Sequence, residues 1–468
     1  MTPAAGALAA AILLPAMMLA APPVTADGDE PDAAAALCAA SREATSEDDF
    51  QRGLDLALQA LALTAHGSTA EAAARLALGE AQFRAGRLDE AGQAFRRCLH
   101  LDPEAAACHG RLGRYLLTIP DYDGAGRALR RAWELDPDDP LTLRRLAGLV
   151  TTREEALALY RRYLDLPTEE EDVVVDNVKA WVAMLEAAGE LKLYRLEGPV
   201  SAALPLRRAQ GVPWVQVAVA GAPARPFLLD SGASGLSLPA SLYHRLKLEP
   251  IAHFKVRGVS GQAETTPFVL VPELALGPFV LHNVPAVVTP ARSEAPAVMG
   301  LSLLAPLVPA LQDGGLLALD REAGAPAGCP LGEWWRMRPV GGMLMVDADL
   351  QGKPLRMVFD TGAARSVLGR AALQRLGIKE SAGGSSTGLT GFTGAASQVG
   401  RVQRRGTLSF LGTEAGARGM AVVDLSAMSR SAGAEIDGIL GIDLLGRATY
   451  QVDYGAGRLR VQPQQSGR

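Results

Sequence analysis

The chain has 468 residues, 48% hydrophobic and 21% charged, enough apolar content to bury cores in about three domains and too much for a wholly disordered chain. Its 46 basic residues stand against 51 acidic ones, a net charge of −5 that lacks the basic excess of a typical nucleic-acid binder. Only six of the basic residues are lysine and alanine is everywhere, a mark of GC-rich coding that weakens alanine as a helix signal.

In chain order, residues 7–21 form an apolar run of the length of a secretion-signal core, short of the roughly 20 residues a membrane-spanning helix needs. Val24-Thr25-Ala26 follows as a small-residue cleavage site, so residues 1–26 read as a signal peptide, although the leader has no Lys or Arg. Residues 27–45 read as a linker, and the mature chain is expected to be periplasmic or secreted. Cys38 follows Leu37, which does not suit lipoprotein processing.

From 46 to 190 the pattern is helical and repeats. Leu78-Gly79, Ala91, Phe95, Cys98 and Pro103 recur 34 residues later as Leu112-Gly113, Ala125, Leu129, Ala132 and Pro137. Small residues let paired helices approach and the prolines stop the second helix of each pair. This spacing resembles the tetratricopeptide repeat and implies an α-solenoid. A degenerate third unit ends at Pro167, and Ala57 and Leu61 keep the phase upstream. Two readings stand for this region: recognition of a protein partner or substrate, or a helical spacer with no ligand of its own. The acidic run 168–172 and the helix after it read as a solvated terminal cap.

Cys98 and Cys108, ten residues apart on adjacent helices, suit either a disulfide or two buried thiols; Cys329 reads as a residue of the inter-lobe linker, and its pairing with Cys38 stays open. His100 and His109 beside them do not make a zinc spacing.

After about residue 195 short β-branched runs broken by Gly and Pro predict an all-β, barrel-like domain. Phe227-Leu228-Leu229-Asp230-Ser231-Gly232-Ala233 is matched 130 residues later by Met357-Val358-Phe359-Asp360-Thr361-Gly362-Ala363, each behind a similar hairpin. Val298-Met299-Gly300 follows Asp230 by 70 residues and Ile439-Leu440-Gly441 follows Asp360 by 81. These motifs resemble the lobes of the retropepsin-like bacterial aspartic peptidases. The resemblance covers roughly 200 to 462 and implies a two-lobed, pepsin/retropepsin-like β-barrel domain: lobe 1 at 196–322, a linker at 323–335 and lobe 2 at 336–463.

The resemblance implies Asp230 and Asp360 as catalytic carboxylates, supported by Ser231, Gly232, Thr361 and Gly362, with Gly300 and Gly441 on segments crossing behind them. It also implies flaps, for which Gly258, Ser260 and Gly261 are the candidates in lobe 1 and Thr390, Gly391 and Phe392 in lobe 2. Surface hairpins are the plainer reading of both. Chemically, amide hydrolysis by water needs a base and an acid together, and two facing carboxyls that share one proton supply both; aspartic proteases are the standard case. Lobe 1 departs from lobe 2 after Gly300, where Ser302 stands in place of Asp443 and prolines follow at 306 and 309.

The expectation is an exported, monomeric aspartic endopeptidase that uses no metal or cofactor and has no stable membrane span, with its repeats recruiting a substrate or partner. The alternative is a non-catalytic periplasmic adaptor with a degenerate peptide-binding domain. A third reading pairs lobes between molecules.

Overall fold

The computed structural model describes residues 30–257, 263–289, 296–312, 315–321, 332–381, 389–390, 396–397, 400–403, 406–446 and 448–462. The helical part runs α1 Glu30–Ser46, α2 Phe50–Ala62, α3 Thr69–Arg84, α4 Leu88–Leu101, α5 Ala106–Leu117, α6 Tyr122–Leu135, α7 Pro140–Ala147, α8 Arg153–Asp165 and α9 Asp172–Ala188. Residues 30–45 are thus helical, not the linker read from the sequence, because Cys38 packs with Leu54, Ala57 and Leu78. Side-chain oxygens start many of these helices: Asp49, Ser68, Asp121, Asp139 and Thr152 each accept a backbone N–H of the first turn. Each such cap contributes about 1 kcal/mol.

The 34-residue period is a packing period. A Cβ on Gly79 would lie 2.5 Å from Phe95, and one on Gly113 would lie 2.6 Å from Leu129, the same clash one repeat later. Glycine at both places lets the first helix of each pair rest on a large side chain of the second, and Phe95 and Leu129 are buried. Cys98 and Cys108 form a disulfide joining α4 to α5. Cys38 is buried and free. The third unit is degenerate because α7 has only 8 residues, bounded by Pro140 at its first turn and Gly148 at its end.

In lobe 1 the strand Arg225–Asp230 lies between Val212–Val219, antiparallel, and Val298–Gly300, parallel, with Gly300 in register with Asp230. Lobe 2 repeats this arrangement. Its strand Lys353–Phe359 lies between Met343–Leu350, antiparallel, and Gly438–Leu440, parallel. A separate six-stranded sheet takes strands from both lobes, joined where Ala310 pairs with Gln451. Phe227, Leu229, Met299, Phe359, Leu440 and Tyr450 share one continuous core. Each fully buried aliphatic or aromatic side chain of this kind stabilises the fold by about 1.5–3 kcal/mol.

The helices pack on both lobes. Phe83, Leu88, Phe95 and Tyr115 share a core with Val340, Met345, Leu425 and Ile436 of lobe 2. Asp89 there receives Arg338 at 2.6 Å and Arg336 at 3.0 Å. At the other end α9 is not the solvated cap that its acidic start suggests. Asn177 donates to the Lys255 carbonyl at 2.9 Å and accepts its N–H at 2.7 Å. Lys255 lies on the edge strand Pro250–Arg257 of lobe 1, so Asn177 completes an otherwise open strand edge. Glu171 pairs with Arg257 at 2.6 Å, Asp176 pairs with Lys255, and Trp181 meets Phe268 edge-on at 5.4 Å. No helix among the described residues is long and apolar enough to cross a membrane.

Candidate active site

Asp230 ends its central strand and Asp360 immediately follows the matching one, so the two-lobed arrangement delivers one carboxylate from each half to the same place. The loops are so close that a Cβ on Gly362 would lie 2.4 Å from the Asp230 carboxyl carbon, and one on Gly232 would lie 2.8 Å from that of Asp360. Only glycine permits this approach at either position. Each glycine also donates its N–H to its own lobe's carboxylate: Gly232 to Asp230 at 2.7 Å and Gly362 to Asp360 at 2.8 Å. Ala363 adds a second donor to Asp360 at 3.0 Å.

Ser231 and Thr361 lock the loops together. The Ser231 N–H donates to the Thr361 hydroxyl at 3.0 Å, and the Thr361 N–H donates to the Ser231 hydroxyl at 2.9 Å. Each hydroxyl then donates across the interface, Ser231 to the Phe359 carbonyl at 2.8 Å and Thr361 to the Leu229 carbonyl at 2.9 Å. Both side chains are buried, so the four bonds form in a region without competing water. Gly300 and Gly441 sit against the backs of the aspartate loops. A Cβ on the former would lie 2.5 Å from the Ala233 carbonyl oxygen, and one on the latter 2.8 Å from that of Ala363.

Burial raises the pKa of both carboxyls. Asp360 goes well above the ordinary value, because the negative charge of Asp230 and a hydrogen bond it gives Asp230 add to burial. In Asp230 the rise is opposed by the Gly232 N–H and by that same hydrogen bond from Asp360. The pair therefore retains one proton to higher pH than either group would alone.

Gly258, Ser260, Gly261, Gly391 and Phe392 lie outside the described residues. Thr390 belongs to a short strand, Leu389–Thr390, paired with Ala396–Ser397. Among the described residues no group of three or more His, Cys, Asp or Glu side chains is arranged to hold a metal ion.

Two features escaped the sequence reading. In lobe 2 the Asp443 carboxylate accepts the Ser366 N–H at 2.7 Å and the Ser366 hydroxyl at 2.6 Å, pinning the segment after the aspartate loop. Its signal was present in the contrast between Asp443 and Ser302. The other is Tyr454, whose hydroxyl is buried without a hydrogen-bond partner among the described residues and whose pKa is pushed up by burial and by the charge of Asp230. Only the fold brings that final-hairpin residue near the pair.

Residues 215–303 and 346–444 match the aspartyl protease family, and 82–147 match the tetratricopeptide repeat. Among solved structures, a retropepsin-like aspartic protease from Rickettsia conorii is 18% identical, matched over 28% of this chain and 96% of its own, with a TM-score of 0.22. The Arabidopsis OM64 TPR domain is 15% identical over 26% of this chain and 96% of its own, with a TM-score of 0.23. The first TPR domain of human RPAP3 is 16% identical over 27% and 94%, with a TM-score of 0.24. No curated protein matches the chain. The chain joins a helical region that matches the tetratricopeptide repeat to a two-lobed β-rich domain in which the aspartyl protease family's model matches twice.

Proposed function

We propose that the protein is an exported aspartic endopeptidase whose dyad is Asp230 and Asp360 and whose helical repeats recruit its substrate. The observation that carries this reading is the reciprocal geometry of the two loops, in which each lobe's glycine lies against the other lobe's carboxylate. Two carboxyls from one chain that share a proton form a matched base and acid. In this reading Asp230 is the ionised partner and takes a proton from a water molecule as that water attacks the peptide carbonyl carbon. Asp360 gives its proton to the carbonyl oxygen, forming a neutral gem-diol. Collapse of the diol breaks the C–N bond, with one hydroxyl proton returning to a carboxylate and the other carboxyl's proton passing to the leaving amine. The backbone donors at Gly232, Gly362 and Ala363 hold the carboxylates in place throughout, so little reorganisation accompanies the charge movement.

Export is supported by the apolar leader and by the Cys98–Cys108 disulfide, which persists in oxidising compartments. Incubation of the mature protein with a peptide library at about pH 3 to 8 tests the activity. Hydrolysis should require one shared proton, falling at low pH when both carboxyls are protonated and at high pH when both are ionised. Peptide binding with no turnover at any pH would favour the adaptor alternative.

A further inference from the structure

The strand Pro250–Arg257 has little to hold it within lobe 1. It ends the lobe's sheet, pairs only with Ala263–Leu276 among the described residues, and none of its side chains is fully buried. A strand with one neighbour and no buried side chain opens at low cost unless something outside its sheet packs on it. In sequence it leads to the flap candidates Gly258, Ser260 and Gly261, so the placement of its hairpin matters to a peptide bound between the lobes.

What packs on the strand is α9. Ile251 and Phe254 join a cluster with Ala180, Trp181 and Met184 of α9, and Phe254 meets Phe268 at 5.0 Å. Asn177 bonds both backbone groups of Lys255, and Glu171 takes the Arg257 guanidinium where the strand ends. The helix is itself fixed to the repeats: Val178 shares a core with Leu159 and Tyr163 of α8, and Glu186 pairs with Arg161 at 2.6 Å. The hairpin is thus fastened to the helical domain as well as to its own lobe.

The fastened end faces lobe 2. The Arg257 guanidinium holds the Glu171 carboxyl below its ordinary range, and the charges of Arg430 and Arg84 act in the same direction. Arg430 lies on the lobe 2 helix Ser426–Ala432, and Asp48, between α1 and α2, pairs with it at 3.4 Å and with Arg84 at 2.8 Å. The start of α9, the end of the lobe 1 strand and a helix of lobe 2 therefore meet in one charged cluster. We infer that Glu171 and Asn177 are positioning residues for substrate: through them the helical domain holds the lobe 1 hairpin toward lobe 2, against a peptide bound between the lobes. The part played by the substrate rests on the proposed peptidase reading, whereas the fastening of the hairpin does not.

The test uses the full mature chain and the peptide best cleaved from the library. Glu171→Arg and Arg257→Glu each set like charges against each other, and the double swap restores an opposite pair. Each single swap should raise KM at least about threefold with kcat within about twofold, and the double swap should return KM to near wild type. Asn177→Ala should raise KM in the same way. Hydrogen exchange should quicken across 250–257 and the facing 263–269 in the single swaps and slow again in the double swap. Circular dichroism and thermal melts confirm folding. Should a swap unfold the chain, Glu171→Gln takes its place, and its KM should depend less than that of wild type on salt between about 0.05 and 0.5 M. Unchanged KM and exchange, a fall in kcat with KM unchanged, or a double swap no better than the singles would overturn the inference. If wild type hydrolyses peptides while the swaps change neither KM nor exchange, only this inference falls. If wild type hydrolyses nothing while exchange quickens in the singles and recovers in the double, the peptidase reading and the hairpin's role in it fall, and the fastening alone remains.

Discussion

The two lobes are alike where they touch and different where they are supported. At the interface the pattern is reciprocal, with Ser231 and Thr361 exchanging the same bonds in both directions. Behind it, lobe 2 braces the segment after its aspartate internally, through Asp443 and Ser366. Lobe 1 has Ser302 and Leu236 at the corresponding places, and the Ser302 hydroxyl is buried without a hydrogen-bond partner among the described residues. Its edge strand is instead braced from outside, by α9 through Asn177, Asp176, Glu171 and Trp181. The shared chemistry constrained both copies at the dyad, whereas each lobe's support was free to come from whatever packs against it.

The sharpest way to break this comparison is at the interface itself. Thr361→Val leaves the Ser231 N–H and the Leu229 carbonyl unpaired in a buried region, and Ser231→Ala does the same to the Thr361 N–H and the Phe359 carbonyl. Each is expected to cost about 2–5 kcal/mol by chemical denaturation, and the two costs should be nearly equal. A large inequality would mean that the lobes are not equivalent at the interface.

Next in size is the contrast in internal support. Asp443→Ala should cost about 1–3 kcal/mol because Ser366 loses its acceptor, whereas Ser302→Ala should be neutral or slightly stabilising because it removes an unsatisfied hydroxyl. Similar losses from both would erase the difference. Asn177→Ala opens the strand edge at Lys255 and should cost about 1–2 kcal/mol. Hydrogen exchange at the Lys255 amide should quicken while the amides of lobe 2 stay protected. Uniform loosening of both lobes would show that α9 does not act on lobe 1 selectively.

The smallest effect is one of pH. Both dyad carboxyls have raised native pKa values, so the native state holds protons that the unfolded chain releases, and stability falls as pH rises from about 4 through the raised values. Asp230→Asn and Asp360→Asn each remove one of the two carboxyls and with it their mutual repulsion. The melting temperature of each variant should gain on wild type as pH increases over that window. No gain from either would contradict a pair that shares one proton.

Much of the architecture was legible because it repeats. Gly79 with Phe95 and Gly113 with Leu129 announce a packing unit through their period, and the aspartate motifs announce a duplication through their matching flanks. What stayed hidden was the long-range pairing. Asn177 and Lys255 are 78 residues apart, and nothing in the acidic start of α9 indicates that the helix will complete a strand edge. The Cys98–Cys108 bond was one of two open readings because a ten-residue spacing fixes proximity but not the direction of the side chains.

The central claim is that one chain supplies both carboxylates of one dyad. Peptide hydrolysis should be measured at nanomolar enzyme concentration for wild type, Asp230→Asn, Asp360→Asn and an equimolar mixture of the two variants. The account predicts a cleaving wild type, two variants each reduced by at least about a thousandfold, and a mixture as inactive as its components. Activity surviving either single substitution, or restored on mixing, would contradict it.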